Sequence, residues 1–496
     1  MSAGRTGRAR GLQLPSVIAG LVVGGLLVGA FAPLVGNRLK VESGGGRTPG
    51  IFGPAATDGT PTTTSSVVGA PSATSEPTAG GGTSGPSGKT AATVARTASD
   101  VGVTPDAISV GMMLLKCDGC GAFGLDFPKT GPQVVNAFVA DINARGGIDG
   151  RRLDVHIQSF DQLEDALQGG ATQRKACIDL TEQQPIFAAM AIGVTQLECL
   201  YKEHGLPVVA TSIGNGTDPG TFNDSGGKLW TITPSPRRML VNWADQLVAS
   251  GTLSKDKPFG IVTIGAQQFD RPITDVLVPR LRELGYNPAQ VTVLPNDAAA
   301  STTARATEGA AMRAKGINTV LLAMDFLNSS LWIQEAERNR WTPQYLVSDY
   351  ATPADDSTAA TQPASFRGAL AVSALPPEGN APSPADQHCT AVWEKAAGRK
   401  VAGQEEEGLV GTICNLMVVL ERGLKAAGPN PTRTSLVQGL GTIGQVPVAG
   451  AIGGVGTLGG PYAFGPVKWT AVDEYLVKRW DGHRYVAVSG PQRMTA

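Results

Sequence analysis

Cys117-Asp118-Gly119-Cys120 places two thiols in one short loop. That spacing suits three kinds of chemistry: thiol–disulfide exchange, half of a metal site, or a small structural ring. Exchange calls for the pair at a helix N-terminus, where the thiolate is stabilised. Here the pair sits in a glycine-rich loop after an apolar run, Ile108 to Leu115. A metal needs more ligands, and His156, His204, His388 and His483 fall on different elements and converge on nothing. The pair therefore reads as a disulfide between Cys117 and Cys120 that stiffens its loop. Gly85-Pro86-Ser87-Gly88-Lys89-Thr90 imitates a phosphate loop, but Thr83 stands where the first glycine belongs. No nucleophile–base pair is legible either, so no metal, cofactor or covalent catalysis is expected.

The elements around that loop alternate. Strands are expected at Ile108 to Leu115, Leu153 to Phe160, Pro185 to Ile192, Pro207 to Ala210, Phe259 to Ile264, Gln290 to Leu294, Thr319 to Ala323, Tyr345 to Ser348 and Ala369 to Ala374. Between them, helical spacing marks Gln133 to Ala144, Gln162 to Thr181, Leu197 to His204, Arg238 to Ser250, Thr274 to Leu284, Thr302 to Lys315 and Ser329 to Asn339. Several strands are continuous apolar runs, as a sheet covered by helices on both faces requires. The pattern is that of a parallel α/β protein. The prolines of Thr231-Ile232-Thr233-Pro234-Ser235-Pro236 interrupt it before it restarts at Phe259, which implies two sheets.

The chain has 496 residues, 17% charged and 42% hydrophobic, with a formal net charge of −1. That suffices for substantial cores and lacks the basic stripe of a nucleic-acid surface, so no nucleic-acid partner is expected. Arg5, Arg8 and Arg10 lie in a basic N-terminus (1–11) ahead of an uncharged apolar run, Leu12 to Asn37, followed by Arg38 and Lys40. Its length and charge asymmetry predict a transmembrane signal anchor over 12–37 with a cytoplasmic N-terminus. A cleaved signal peptide is the rival reading. Ala30-Phe31-Ala32 has the form of a cleavage site, but Pro33 follows it. Residues 38–100 are rich in Gly, Pro, Ser and Thr and read as a disordered linker, spanning about 45 Å as a coil of roughly 60 residues.

Six cysteines allow fifteen pairings in principle. Cys177 and Cys199 lie in the helices before and after one strand, and Cys389 and Cys414 in successive helical segments, His388 to Ala397 and Gly408 to Leu424. Each pair, once closed, stabilises by roughly 3 kcal/mol in the chain-entropy model.

The segment Ala137-Phe138-Val139-Ala140-Asp141-Ile142-Asn143-Ala144-Arg145-Gly146-Gly147-Ile148-Asp149-Gly150-Arg151-Arg152 ends a helix on two glycines and turns into a strand. Its wording resembles the signature of type I periplasmic solute-binding proteins, the branched-chain amino acid receptor family. Thr231 to Pro236, Pro466 to Trp469 and Leu476 to Gly482 resemble the first crossover and the closing strands of that family, and the likeness extends over about Asp106 to Val488. A disulfide joining the elements around Cys177 and Cys199 is similar to one found in it.

The resemblance implies an α/β fold of two Rossmann-like lobes with parallel sheets flanked by helices, joined by three crossover strands. Lobe one would comprise 101–232 and 366–462, and lobe two 233–365 and 463–496. The second crossover then falls between Tyr350 and Phe366 and the third near Gly459 to Phe464. A solute would lie between the lobes, against loops at the carboxyl ends of strands. Lobe one offers Phe123 (with Phe127) in the loop after the first strand, Gly193 and Thr195 after the third, and Ser212, Ile213 and Gly214 after the fourth. Lobe two offers Phe269, Asp325 with Phe326, and Asp349.

By analogy with amino-acid-binding relatives, Thr195, Ser212 and backbone N–H groups would hold a carboxylate, Phe269 would close the pocket, and Asp349 would take an ammonium. The serine-rich stretch usual after the third strand is replaced by Gly193-Val194-Thr195, and the four phenylalanines permit a less polar solute. Plainer roles compete: Asp325 and Asp270 as helix caps, Thr195 as a cap for the helix from Leu197, the phenylalanines as lobe packing, and Glu405-Glu406-Glu407 as a charged helix start. The expected function is a membrane-tethered extracytoplasmic binder that delivers a small amino-acid-like or other polar or amphipathic solute to an ABC importer permease. The alternatives are a ligand sensor of the same fold and a non-binding envelope protein.

Overall fold

The structure is a computed structural model, and it describes residues 94–119, 129–168, 170–211, 219–350, 354–375, 382–447, 449, 461–465, 468–471 and 474–495. Among these no helix is long and apolar enough to cross a membrane; the run 12–37 lies outside them, as does nearly all of the linker.

The first half begins β1 (Ala107–Lys116), α1 (Gly131–Ala144), β2 (Arg152–Asp161), α2 (Gln162–Leu167), α3 (Ala171–Gln183) and β3 (Ala188–Ile192). A π-helical turn (Cys199–Glu203), β4 (Val208–Thr211), α4 (Pro219–Asp224) and β5 (Leu229–Thr231) complete it. Its five strands lie in the order β2-β1-β3-β4-β5, all parallel. The expected helix Gln162 to Thr181 is broken in two because Gly170 adopts a left-handed φ of 93°, where a side chain would be strained.

The second half runs α5 (Pro236–Ala249), β6 (Gly260–Ile264), α6 (Gln267–Pro272), α7 (Val278–Glu283), β7 (Gln290–Leu294), α8 (Ala298–Ala314), β8 (Thr319–Ala323), α9 (Phe326–Arg338), β9 (Gln344–Ser348), α10 (Asp356–Ala360) and β10 (Leu370–Ser373). Pro272 and Pro279 lack N–H donors, and between them the helix widens into a π turn, Ile273–Leu277. The chain then forms α11 (Pro384–Ala397), α12 (Gly403–Ala427), α13 (Arg433–Leu440), β11 (Gly444–Pro447), β12 (Pro461–Phe464), β13 (Glu474–Trp480), β14 (Tyr485–Ala487) and β15 (Gln492–Arg493). The second sheet has the order β14-β13-β10-β9-β8-β6-β7, parallel from β10 to β7 and antiparallel at β13 and β14.

Each sheet is buried on both faces. In lobe one, α1, α11 and α12 cover one face through Val134, Phe138, Trp393, Val410 and Met417, and α3 with the π turn covers the other through Cys177, Leu180 and Leu200. In lobe two the corresponding layers are α5 with α7 (Leu240, Trp243, Leu281) and α8 with α9 (Met312, Trp332, Ile333). Two disulfides tie lobe one, Cys177–Cys199 and Cys389–Cys414. Cys117 is also disulfide-bonded, and Cys120 lies outside the described residues.

Three boundaries differ from the sequence reading. Strand β10 pairs with β9 and β13 in the second sheet, so the chain leaves lobe two after Ser373 rather than between Tyr350 and Phe366. Phe464 and Ala471 belong to the lobe-one core, so the third crossover comes after Ala471, later than Gly459 to Phe464. The residues that lead into it lie beside the end of β5, with Thr231 N donating to Trp469 O at 2.9 Å and Ala471 N donating to Thr231 O at 3.0 Å. A connection between sheets carries no sequence signal at either end of which sheet it joins. Finally, residues 95–100, read as linker, are fixed to lobe one. Thr97 N donates to Asn430 Oδ1 at 2.8 Å, Asn430 Nδ2 to Ala95 O at 3.0 Å, and Arg433 N to Asp100 Oδ2 at 2.7 Å. Arg151, 1% exposed, staples Thr97 O, Thr104 O, Pro429 O and Asn430 Oδ1 together.

Candidate functional site

In an open α/β sheet a ligand lies beyond the carboxyl ends of the strands, where the strand order reverses. In the first sheet β1 is flanked by β2 and β3, and in the second β6 is flanked by β7 and β8. Topology alone therefore singles out the loops after β1 and β3 in lobe one and those after β6 and β8 in lobe two. Gly193, Thr195, Phe269, Asp325 and Phe326 all fall there. Asp349, after β9, is one strand removed. Phe123, Ser212, Ile213 and Gly214, with Phe127, lie outside the described residues.

The loop after β3 is held from below. Gly193 has a φ of 67°, and a Cβ on it would stand 2.8 Å from Leu115 Cδ2, so this position requires glycine. Its N–H donates to Thr211 Oγ1 at 3.1 Å. Thr195 caps no helix. Its N–H donates to Gln173 Oε1 at 2.7 Å, Gln196 N donates to the same oxygen at 3.2 Å, and Gln173 Nε2 donates to Thr195 Oγ1 at 3.1 Å. Gln173 is 4% exposed and is itself anchored on buried Asp165, whose Oδ1 accepts from Gln173 N at 2.8 Å and from Thr172 Oγ1 at 2.6 Å. The anion-binding groups expected here are occupied by the chain's own amide. Sequence reasoning missed Gln173 although a signal was present: it shares the buried face of α3 with Ala176, Cys177 and Leu180, and a polar residue on an apolar stripe must have a partner.

Beside this loop, Asp161 joins the ends of β2 and β1. Its Oδ1 caps α2, accepting from Leu163 N and Glu164 N at 3.0 Å each, and its Oδ2 accepts from Asp118 N at 2.8 Å. Burial opposes its ionisation, but those three N–H groups and Lys116 hold its pKa below the usual carboxylate value.

In lobe two, Phe269 is half-buried and packs on both cores of the lobe, while its carbonyl accepts from Tyr350 Oη at 3.3 Å. Asp325 caps α9, its Oδ1 accepting from Asn328 N at 3.0 Å and its Oδ2 from Asn328 Nδ2 at 2.8 Å. Phe326, the first residue of α9, is half-buried. Asp270 sits inside α6 and caps nothing; its Oδ1 accepts from Arg271 N at 2.7 Å.

Asp349 is the most heavily engaged of these carboxylates. Oδ1 accepts from Ala354 N at 3.0 Å, and Oδ2 accepts from Ser373 Oγ at 2.8 Å, Ala374 N at 2.6 Å and Leu375 N at 3.3 Å. Lys478, 1% exposed on β13, grips the same two segments by their carbonyls, donating to Ala354 O and, at 3.0 Å, to Leu375 O. Burial pushes the Asp349 pKa up and the Lys478 pKa down, while each charge counteracts the shift of the other. The pair fastens the start of the second crossover. Lys478 also had a legible signal, since it alternates with Leu476 and Trp480 on the buried face of its strand.

With that geometry in hand, the chain can be set beside known proteins. A family model described as periplasmic binding protein matches residues 117–482. The chain belongs to the periplasmic binding protein family. No curated protein matches it in sequence. Among solved structures, it is similar to a fatty acid ABC transporter substrate-binding protein from Thermomonospora curvata, at 14% identity and TM-score 0.56, over 79% of this chain and 94% of that one. It is equally similar to a branched-chain amino acid ABC transporter protein from Thermus thermophilus with bound valine, at 15% identity and TM-score 0.56, over 79% and 97%. A third is a solute-binding protein from Rhodopseudomonas palustris BisB5 in complex with 3,4-dihydroxybenzoic acid, at 12% identity and TM-score 0.55, over 79% and 98%. At such identities these likenesses show the periplasmic-binding fold, not a ligand.

Two features of this periplasmic binding protein lie near its lobe-one loops or resemble a site. Cys199, Glu203 and His204 have their ligand atoms within 4.8 Å of one another, but the Cys199 sulfur is spent in its disulfide, which leaves no thiolate for a metal. Glu406, expected at a charged helix start, does lie in the first turn of α12 and is buried there. It accepts from Arg399 at 2.6 and 2.7 Å, from Ala402 N at 2.6 Å, and from Thr130 Oγ1, at the head of α1, at 3.2 Å. The Arg399 hydrogen bonds, against the cost of burial, hold its pKa down at about 2. A depressed carboxylate contributes stability that is complete above the unfolded-state value near 4.5 and disappears as pH falls towards 2. Because Arg399 is 43% exposed, solvent screening reduces that contribution to about 1–2 kcal/mol. Unfolding free energies measured from pH 6 to pH 2 should therefore fall less steeply in Glu406→Gln than in the parent. Parallel profiles would refute the assignment.

Proposed function

We propose that this protein is an extracytoplasmic binding component, held at the membrane by its N-terminal segment, that captures an amphipathic solute without an α-amino-acid head group and passes it to an ABC importer. The observation that carries the reading is Gln173. Its side-chain oxygen takes the N–H groups of Thr195 and Gln196, which a ligand carboxylate would otherwise use. At the far side Asp349 is saturated by four donors from its own chain and is poorly placed to receive an ammonium. Phe269 and Phe326, half-buried at the second sheet's reversal point, favour an apolar body. Membership of the family supports solute capture, and the named structures include binders of fatty acid, valine and a dihydroxybenzoic acid.

The test is calorimetric titration of the full chain with valine, leucine, medium-chain alcohols and amides, and phenols. Valine and leucine should give no saturable heat, and one of the amphipathic classes should bind. Phe269→Ala should weaken that hit about tenfold, the loss expected when roughly 1.4 kcal/mol of contact is removed. Micromolar binding of valine or leucine would overturn the reading.

A further inference from the structure

On the flank of lobe two, α8 and α9 enclose a cavity of about 340 Å³ that opens to solvent. The residues lining it come from the later turns of both helices and from Trp341. Both helices start at the carboxyl ends of strands and run back towards the opposite edge of the sheet. The cavity's lining residues lie one or more turns beyond the solute loops, and Arg305 reaches back from them to Asn328 in the first turn of α9.

Its lining is unusual for a packing defect. Arg305 is 6% exposed, and among the described residues it has no carboxylate within ion-pair distance. Its guanidinium meets only neutral groups: Nη1 donates to Ser301 Oγ at 2.8 Å and to Asn328 Oδ1 at 3.5 Å, and Nη2 to Thr302 Oγ1 at 3.1 Å. The nearest acid on the lining, Glu335, is taken by Arg338 at 2.5 Å and by Asn339 Nδ2 at 2.8 Å. On the same lining, the ring centroids of Trp332 and Trp341 lie 6.3 Å apart in an edge-to-face arrangement at 73°. Both come within 3.9–4.0 Å of the point where a Cβ on Gly309 would be, so a side chain larger than a methyl there would enter the cavity. The buried indole N–H of Trp332 has no acceptor among the described residues. Burial pushes the Arg305 pKa down, the direction expected of a cation awaiting a counter-charge.

We propose that this cavity is a second small-molecule site, which takes a planar carboxylate of benzoate size. A carboxylate accepts two parallel hydrogen bonds from a guanidinium, and the two indoles with Ala310, Ala314 and Ala336 give a flat ring an apolar wall to lie against. The volume sits at the small end of ligand pockets, which restricts the guest to a single ring. None of its lining residues belongs to the interlobe solute loops, so the proposal stands whether or not the reading of those loops is right.

Calorimetric titration of the full chain with benzoate and with its neutral isostere benzamide tests this. Benzoate should saturate a single site, and benzamide should bind at least about tenfold more weakly, the difference a charge-assisted hydrogen bond makes. Gly309→Leu fills the cavity and should abolish benzoate binding while the unfolding midpoint is retained. Should that variant misfold, Ala310→Phe, at an exposed position on the rim, closes the same opening. Absence of saturable benzoate binding, equal affinity for benzamide, or undiminished binding in a folded cavity-filling variant would each overturn the proposal. In the last case a parallel Phe269→Ala titration would move the guest to the interlobe loops.

Discussion

Asp349→Ala is expected to lower the free energy of unfolding by about 3–5 kcal/mol, the range seen when one member of a buried charged network is removed. The substitution strands the N–H groups of Ala354 and Ala374 and leaves Leu375 N and the Ser373 hydroxyl with only each other's segment, Leu375 N donating to Ser373 Oγ at 3.0 Å and Ser373 Oγ to Leu375 O at 3.4 Å. It also leaves the Lys478 ammonium buried against the carbonyls of Ala354 and Leu375, without the carboxylate beside it. Each unsatisfied buried donor costs on the order of 1–3 kcal/mol, and not all of that is recoverable by relaxation. Asp349→Asn keeps one acceptor oxygen and should lose less. Urea unfolding of the parent and both variants measures this directly. The same experiment separates the two roles considered for this residue. A carboxylate that serves only a ligand's ammonium leaves apo stability unchanged when removed, and that outcome would sink its role in fastening the second crossover.

Loss of both lobe-one disulfides is expected to cost about 6 kcal/mol, roughly 3 kcal/mol for each loop by chain entropy. The bonded residues are 22 and 25 apart in sequence, so the two contributions should be nearly equal. Cys177–Cys199 fastens layers on one face of the first sheet and Cys389–Cys414 those on the other, and additivity follows from that separation. Cys177, Cys199, Cys389 and Cys414 are each at most 3% exposed. Reductant should therefore act only on opened molecules, and the paired alanine variants are the clean comparison. Stabilities within about 0.5 kcal/mol of the parent, the range of a neutral surface change, would refute the estimate.

The strands were legible because each is a short apolar run whose both faces are covered, and all nine expected strands occur. The two long-range disulfides were legible because consecutive elements carry their cysteines. Strand β5 was not: three residues, Leu229 to Thr231, are too few to show a period, and they run straight into the crossover. Of the site, the loops could be located, since strand order and family likeness both point to strand carboxyl ends. The roles of the side chains could not. Asp325 as a cap follows from local spacing, but Thr195 depends on Gln173 and Asp349 on residues 24 to 26 positions away. Such partners are set by how layers stack, which a one-dimensional pattern does not record. The misplaced crossovers have the same origin, because β10 was assigned by position in the family pattern whereas its neighbours β9 and β13 decide the sheet.

The strap of residues 95–100 has a mechanical meaning. Its bonds run to Gly150, Arg151, Asn430, Pro431 and Arg433, all in lobe one and all at the edge of the sheet where its strands begin. Tension along the preceding chain would enter one lobe through a cluster of sheared hydrogen bonds, and none of the three crossovers lies in that load path. Were the lobes to open and close about a solute, they would do so under a pull that does not bias them, as a door swings freely when its frame, rather than its leaf, is bolted to the wall.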